Sequence, residues 1–74
     1  MKHTVEAELV GNVGVVSAEV GDVVGPTDTL VILESMKMEI PVLAEVAGTV
    51  AEVAVNPGDT IREGDVIAII EERT

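Results

Sequence analysis

Seventy-four residues make one small domain, in which 14 acids against four bases leave a net charge of −10. Four scattered cations cannot neutralise phosphate, which excludes nucleic acid and anionic membrane surfaces as partners, and no apolar run approaches the ~20 residues of a membrane helix. There is no Cys, Phe, Tyr or Trp, so disulfides and thiolate metal sites are excluded and Val, Ile, Leu, Ala and Met must build the core.

The opening Met1-Lys2-His3-Thr4-Val5-Glu6 lacks the apolar stretch of a secretory signal, which points to a soluble cytoplasmic module. Val5, Ala7 and Leu9 then alternate with Glu6 and Glu8, the pattern of a half-buried first strand. Gly11 breaks the chain, and Val13, Val16 and Ala18 follow at a spacing of three and then two. That spacing predicts a β-bulge near Gly14. Val20-Gly21-Asp22 and Pro26-Thr27-Asp28 are turn signals, and Leu30 to Leu33 is the next strand.

After Leu43 the whole pattern starts again. Shifted by 37 positions, Ala7–Glu34 lies on Ala44–Glu71 without a gap, and Gly11/Gly48, Val13/Val50, Gly21/Gly58, Asp28/Asp65 and Glu34/Glu71 are identical. The second copy therefore predicts a bulge near Ala51, turns at Asn56-Pro57-Gly58-Asp59 and Glu63-Gly64-Asp65, and a last strand from Ile67 to Ile70. Four strands per half give an all-β domain of about eight strands spanning residues 1–74. Neither half can bury its apolar face alone, so the halves are expected to pack face to face as a flattened barrel or sandwich about a pseudo-twofold axis.

Ser35 to Leu43 has no counterpart in the repeat. A short link between two strands is a hairpin, with Met36, Lys37 and Met38 at or beside its tip. Glu, Met and Lys also favour helix, but ~5 such residues are too few to hold one against β-rich flanks. Hairpin tips normally carry Asn, Asp or Gly. Two Met around a Lys break that rule, and a broken local rule tends to mark function.

Lys2 lies at an amino terminus expected to fray, which leaves Lys37 as the one primary amine held on the folded body. Nothing around it resembles a buried catalytic lysine. An amine displayed to a modifying enzyme and an ordinary solubilising lysine both fit at this point. His3 has no ligand cluster beside it and reads as a free tail residue rather than a metal ligand. No acid/base pair, nucleophile triad, phosphate loop or metal cluster is present, so the chain reads as a non-enzyme.

Glu34-Ser35-Met36-Lys37-Met38 resembles the attachment motif of biotinyl domains, written (A/S)MKM and often preceded by Glu. The frame of Gly21-Asp22, Asp28 and Leu30 before it, and Pro41, Gly48, Gly58-Asp59 and Gly64-Asp65 after it, is similar as well. The likeness covers roughly residues 5 to 71 and is nearest to small stand-alone biotinylated proteins and biotin carboxyl carrier modules. It implies two four-stranded antiparallel sheets and covalent biotin as an amide on Lys37. A biotin protein ligase would attach it. A biotin carboxylase and a carboxyltransferase, of acetyl-CoA, propionyl-CoA or pyruvate carboxylase type, would then use the carrier, itself a monomer.

Within that resemblance Met36 and Met38 would offer soft contacts to the ligase, with Glu34 and Ser35 in supporting places; otherwise the two Met would merely cover the barrel end. They also separate the site from lipoyl acceptors, whose lysine usually follows Asp. A lipoyl carrier is the nearest rival, and an interaction barrel serving no carboxylase is the rival from another class. The ungapped repeat leaves no room for the thumb insertion of some bacterial carriers. Thr27 stands where the family usually has Gly, at a cost of ~1 kcal/mol if that turn needs positive φ.

Overall fold

The computed structural model describes residues 1–73. The strands are β1 (Lys2–Glu6), β2 (Gly11–Val16), β3 (Val23–Val24), β4 (Thr29–Ser35), β5 (Met38–Leu43), β6 (Gly48–Val53), β7 (Thr60–Ile61) and β8 (Val66–Glu72). They form two four-stranded antiparallel sheets, sheet A in the order β1-β8-β6-β3 and sheet B in the order β5-β4-β2-β7. The bounds of β2, β3 and β4 recur 37 residues later as β6, β7 and β8. The register of β2 shifts between Val13 and Val15, and that of β6 between Val50 and Glu52, which places the expected bulges at Gly14 and Ala51.

The halves do not form one layer each, as the repeat alone suggested. Each sheet takes two strands from each half, because the chain changes sheet at every connection except the β4–β5 hairpin. Ala7 marks the first crossing, its N–H donating to the Asp65 carbonyl at 2.8 Å. Interleaving lets each half finish the other's sheets. Repeat-related pairs, Leu30 with Ile67, Leu33 with Ile70 and Val13 with Val50, accordingly share one buried core.

Four turns, each with Asp in its fourth place, connect the short strands. The carboxylates of Asp22, Asp28, Asp59 and Asp65 accept from the N–H of Glu19, Gly25, Asn56 and Arg62 at 2.8–2.9 Å. In three of these turns a Gly with positive φ fills the third place, and its N–H donates across the barrel: Gly21 to Val50, Gly58 to Val13 and Gly64 to Ala7, each at 2.8 Å. The fourth, Gly25-Pro26-Thr27-Asp28, is built differently. Thr27 is not among the residues with positive φ, so the strain expected of it is absent.

The central peptide of that turn is reversed, as type I differs from type II. Its Pro26 carbonyl accepts from Glu45 N–H at 3.0 Å, and Glu45 carries the positive φ of 72° instead. The strain has moved across the barrel. Gly64→Thr should therefore cost about 1–2 kcal/mol in urea unfolding, whereas Thr27→Gly should return none. A gain of about 1 kcal/mol for Thr27→Gly would contradict this assignment.

Two expectations about the amino terminus also change. Lys2 and His3 lie in β1, paired with Glu71 and Ile70, so neither belongs to a frayed tail. His3 Nε2 lies 3.1 Å from Glu45 Oε1. The count of amines therefore does not single out Lys37, and its position must.

Candidate functional site

β4 and β5 pair from Thr29↔Leu43 to Ser35↔Met38, which leaves a loop of two residues, Met36 and Lys37. Their φ values are 50° and 66°. Positive φ at both central residues defines the type I′ turn, whose twist matches the flanking strands and which normally selects Asn-Gly. Neither Met nor Lys relieves that conformation, so the chain holds a strained tip. The flanking ladder enforces it.

The tip is thoroughly exposed. Met36 is 92% and Met38 62% accessible, so the two side chains project from the barrel rather than covering its end. Lys37 is exposed and forms no ion pair with any described residue. The depression beside it, lined by Asn12, Glu34, Ser35, Met38 and Glu39, is open and offers no enclosed cofactor pocket. An amine so placed suits acylation by another protein's active site.

Glu34 and Ser35 hold the base of the hairpin. Ser35 Oγ donates to the Val10 carbonyl at 3.1 Å, fastening the end of β4 to the chain entering β2. Glu34 lies across from Glu39 and Asn12, its side chain resting on Gly14, where a Cβ would come within 3.1 Å of it. Sequence reasoning missed Val10 and Gly14 as supports of the tip. The only trace of them was the bulge spacing.

The pair related to Ser35 and Met38 by the 37-residue shift is Glu72 and Met1. Glu72 N–H donates to the Met1 carbonyl at 2.7 Å, closing the β1–β8 pair as Ser35 and Met38 close the hairpin. One such corner is thus a covalent tip bearing Lys37, and the other is the meeting of β1 and β8.

Residues 1–70 match the protein family described as "Biotin-requiring enzyme". The chain belongs to this biotin-requiring family. Over 43 residues it is 58% identical to a biotinylated protein TB7.3 homolog of Mycolicibacterium smegmatis and 56% to that of Mycobacterium leprae. That stretch is 58% of this chain and 61% of each relative, about three-fifths of their length.

Among solved structures, Kluyveromyces lactis urea carboxylase superposes with a TM-score of 0.90 and 32% identity over 96% of this chain and 6% of that enzyme. A single-chain, multi-domain long-chain acyl-CoA carboxylase gives the same score and identity over 99% of this chain and 7% of its own. The lipoyl domain of the Azotobacter vinelandii 2-oxoglutarate dehydrogenase complex also matches, at a TM-score of 0.73 and 26% identity, covering 92% of this chain and 96% of that domain. The fold is the one biotinyl and lipoyl domains share, and the resemblance to the biotin-dependent side is the stronger.

Proposed function

We propose that Lys37 is the attachment point for biotin and that the chain is the carrier component of a biotin-dependent carboxylase. A biotin protein ligase forms an amide between Lys37 Nζ and the carboxyl carbon of biotin, with net loss of one water. The observation that carries this reading is the exposed, unpaired lysine on a strained two-residue tip, in a chain of the biotin-requiring family. Attached biotin supplies a ureido nitrogen that holds a carboxyl group between a biotin carboxylase and a carboxyltransferase.

The chain's own residues do no bond chemistry. The β4–β5 ladder keeps Nζ clear of the barrel, and Ser35 ties that ladder down through Val10. Met36 and Met38 present polarizable apolar contacts to the ligase. Tethering makes delivery effectively intramolecular, at roughly millimolar local concentration when the reach is right. The acidic surface steers the carrier toward basic sites on its enzymes, so association should slow as salt rises. The reliance on a ligase and ATP-dependent charging supports a cytoplasmic setting for this work.

Intact mass after co-expression with a biotin ligase and a lipoyl ligase tests the assignment. The expected gain is about 226 Da, for biotin, on the wild type and none on Lys37→Arg. Lys2, the other lysine and also exposed, should stay unlabelled in both. A gain of about 188 Da, for lipoate, or biotin retained by Lys37→Arg, would overturn it.

A further inference from the structure

The structure extends the repeat to β1 and β5, which lie 37 residues apart in equivalent places of the two sheets. The strands of one half therefore supply a control for those of the other. On the outer face of sheet B, Ile32 lies between Val15 and Pro41 in register, and Leu43 follows Pro41 on the same side of β5. The places 37 residues away, on sheet A, hold Glu52, Ile69, Thr4 and Glu6, with Ile69 opposite both Glu52 and Thr4. One face carries four apolar residues in a row, whereas on the other Ile69 stands among Glu52, Thr4 and Glu6, with the exposed Val66 opposite Glu6 and Val23 at the far edge. Both faces are built on equivalent ladders, so the strand pairing does not demand the apolar row.

Val15 is 50% and Leu43 37% accessible, and Pro41 is exposed. Pro41 and Leu43 continue over the edge of β5 into a groove of about 200 Å³ walled by Val5, Leu9 and Val42 together with Glu6, Glu8 and Glu45. This face belongs to the sheet and the hairpin that carry Lys37. Between the apolar row and the tip stand Glu34 and Glu39, directly opposite each other. Like charges so placed repel, and neither forms an ion pair with a described residue. The surface therefore presents an apolar row with an uncompensated pair of carboxylates on its Lys37 side.

We propose that the outer face of sheet B is where the enzyme that carboxylates the tethered ring docks, through an apolar patch rimmed by Lys or Arg. That enzyme handles ATP and bicarbonate, both anionic, so the mouth of its active site is electropositive. A basic rim there meets Glu34 and Glu39 as the tip enters, while the patch covers Val15, Ile32, Pro41 and Leu43. A second copy of this chain is the wrong occupant, because it brings acidic rim against acidic rim at a net charge of −10 each. The inference deepens the carrier reading and takes only the partner's identity from it.

The test titrates the ¹⁵N-labelled, biotinylated protein with the biotin carboxylase of the same organism and maps amide shifts. Shifts should cluster at residues 15, 32, 41–43 and the tip and spare 4, 52 and 69. Val15→Glu with Leu43→Glu, each taken from its repeat partner, should raise KM for the carrier about tenfold and leave kcat within about twofold. Glu52→Gln on sheet A should change neither. The shift map on the wild type decides the matter even if the double variant fails to fold. Shifts centred on sheet A, shifts given by the ligase alone, shifts from concentrating the carrier alone, or an unchanged KM in a folded double variant overturn the proposal. A chain that never gains the biotin mass fails the carrier reading instead; one that gains it but shows no shift on sheet B fails only this inference.

Discussion

Replacing Met36-Lys37 by Asn-Gly should raise stability by about 1–2 kcal/mol while abolishing biotin incorporation. Both residues occupy the left-handed region, with φ of 50° and 66°, and the Ser35↔Met38 pair allows the loop no third residue to relax into. Asn tolerates that region and Gly meets no Cβ penalty there, which is why the pair dominates type I′ turns. Lys37→Gly alone should give about half the gain. With no aromatic residue to report fluorescence, far-UV circular dichroism through a urea titration is the measurement. An unchanged or lower midpoint for the double variant would mean that the tip is not strained. The opposed signs of the two effects are the point: the turn gives up stability to keep an amine where Gly belongs.

Gly48→Ala should cost about 3 kcal/mol or prevent folding outright. β6 and β8 approach so closely there that a Cβ would run into the Glu71 backbone carbonyl, with Ile70 Cγ2 only 2.9 Å away. A backbone obstacle cannot rotate aside, and a domain of this size has little stability to lose. The related Gly11→Ala meets the Glu34 carbonyl at 2.8 Å, beside the hairpin rather than beside the β1–β8 closure, and should cost less, about 1–2 kcal/mol. Thermal melts of the two variants order them. A Gly48→Ala protein as stable as the wild type would show that the two strands can part without loss.

Much of the architecture was legible because its determinants are local and occur twice. The spacing of Val13 to Val16 and of Val50 to Val53 announced two bulges, and the ladders shift register at both. Asp22, Asp28, Asp59 and Asp65 marked turns by an interaction spanning four residues, which needs no tertiary information. The hairpin between Glu34 and Glu39 was legible for the same reason. Thr27 was misread because its turn depends on a distant residue, Glu45, whose N–H meets the reversed Pro26 peptide. No pattern within residues 25–28 could report that.

Lys2 and His3 were misread for a related reason. A terminal strand looks like a tail until its partner is known, and that partner, β8, lies at the other end of the chain. Local alternation cannot name a neighbour some 70 residues away.

The order of residues alone determined the strand count, the bulges and the Asp-closed turns, because each depends on contacts a few positions apart. Only the tertiary structure decided that each sheet draws two strands from each half and that Met36 and Lys37 take up left-handed backbone. It likewise decided that one outer face carries an apolar row while its related face is mixed. These depend on which strands meet and in what register, and register is set by packing over the whole core.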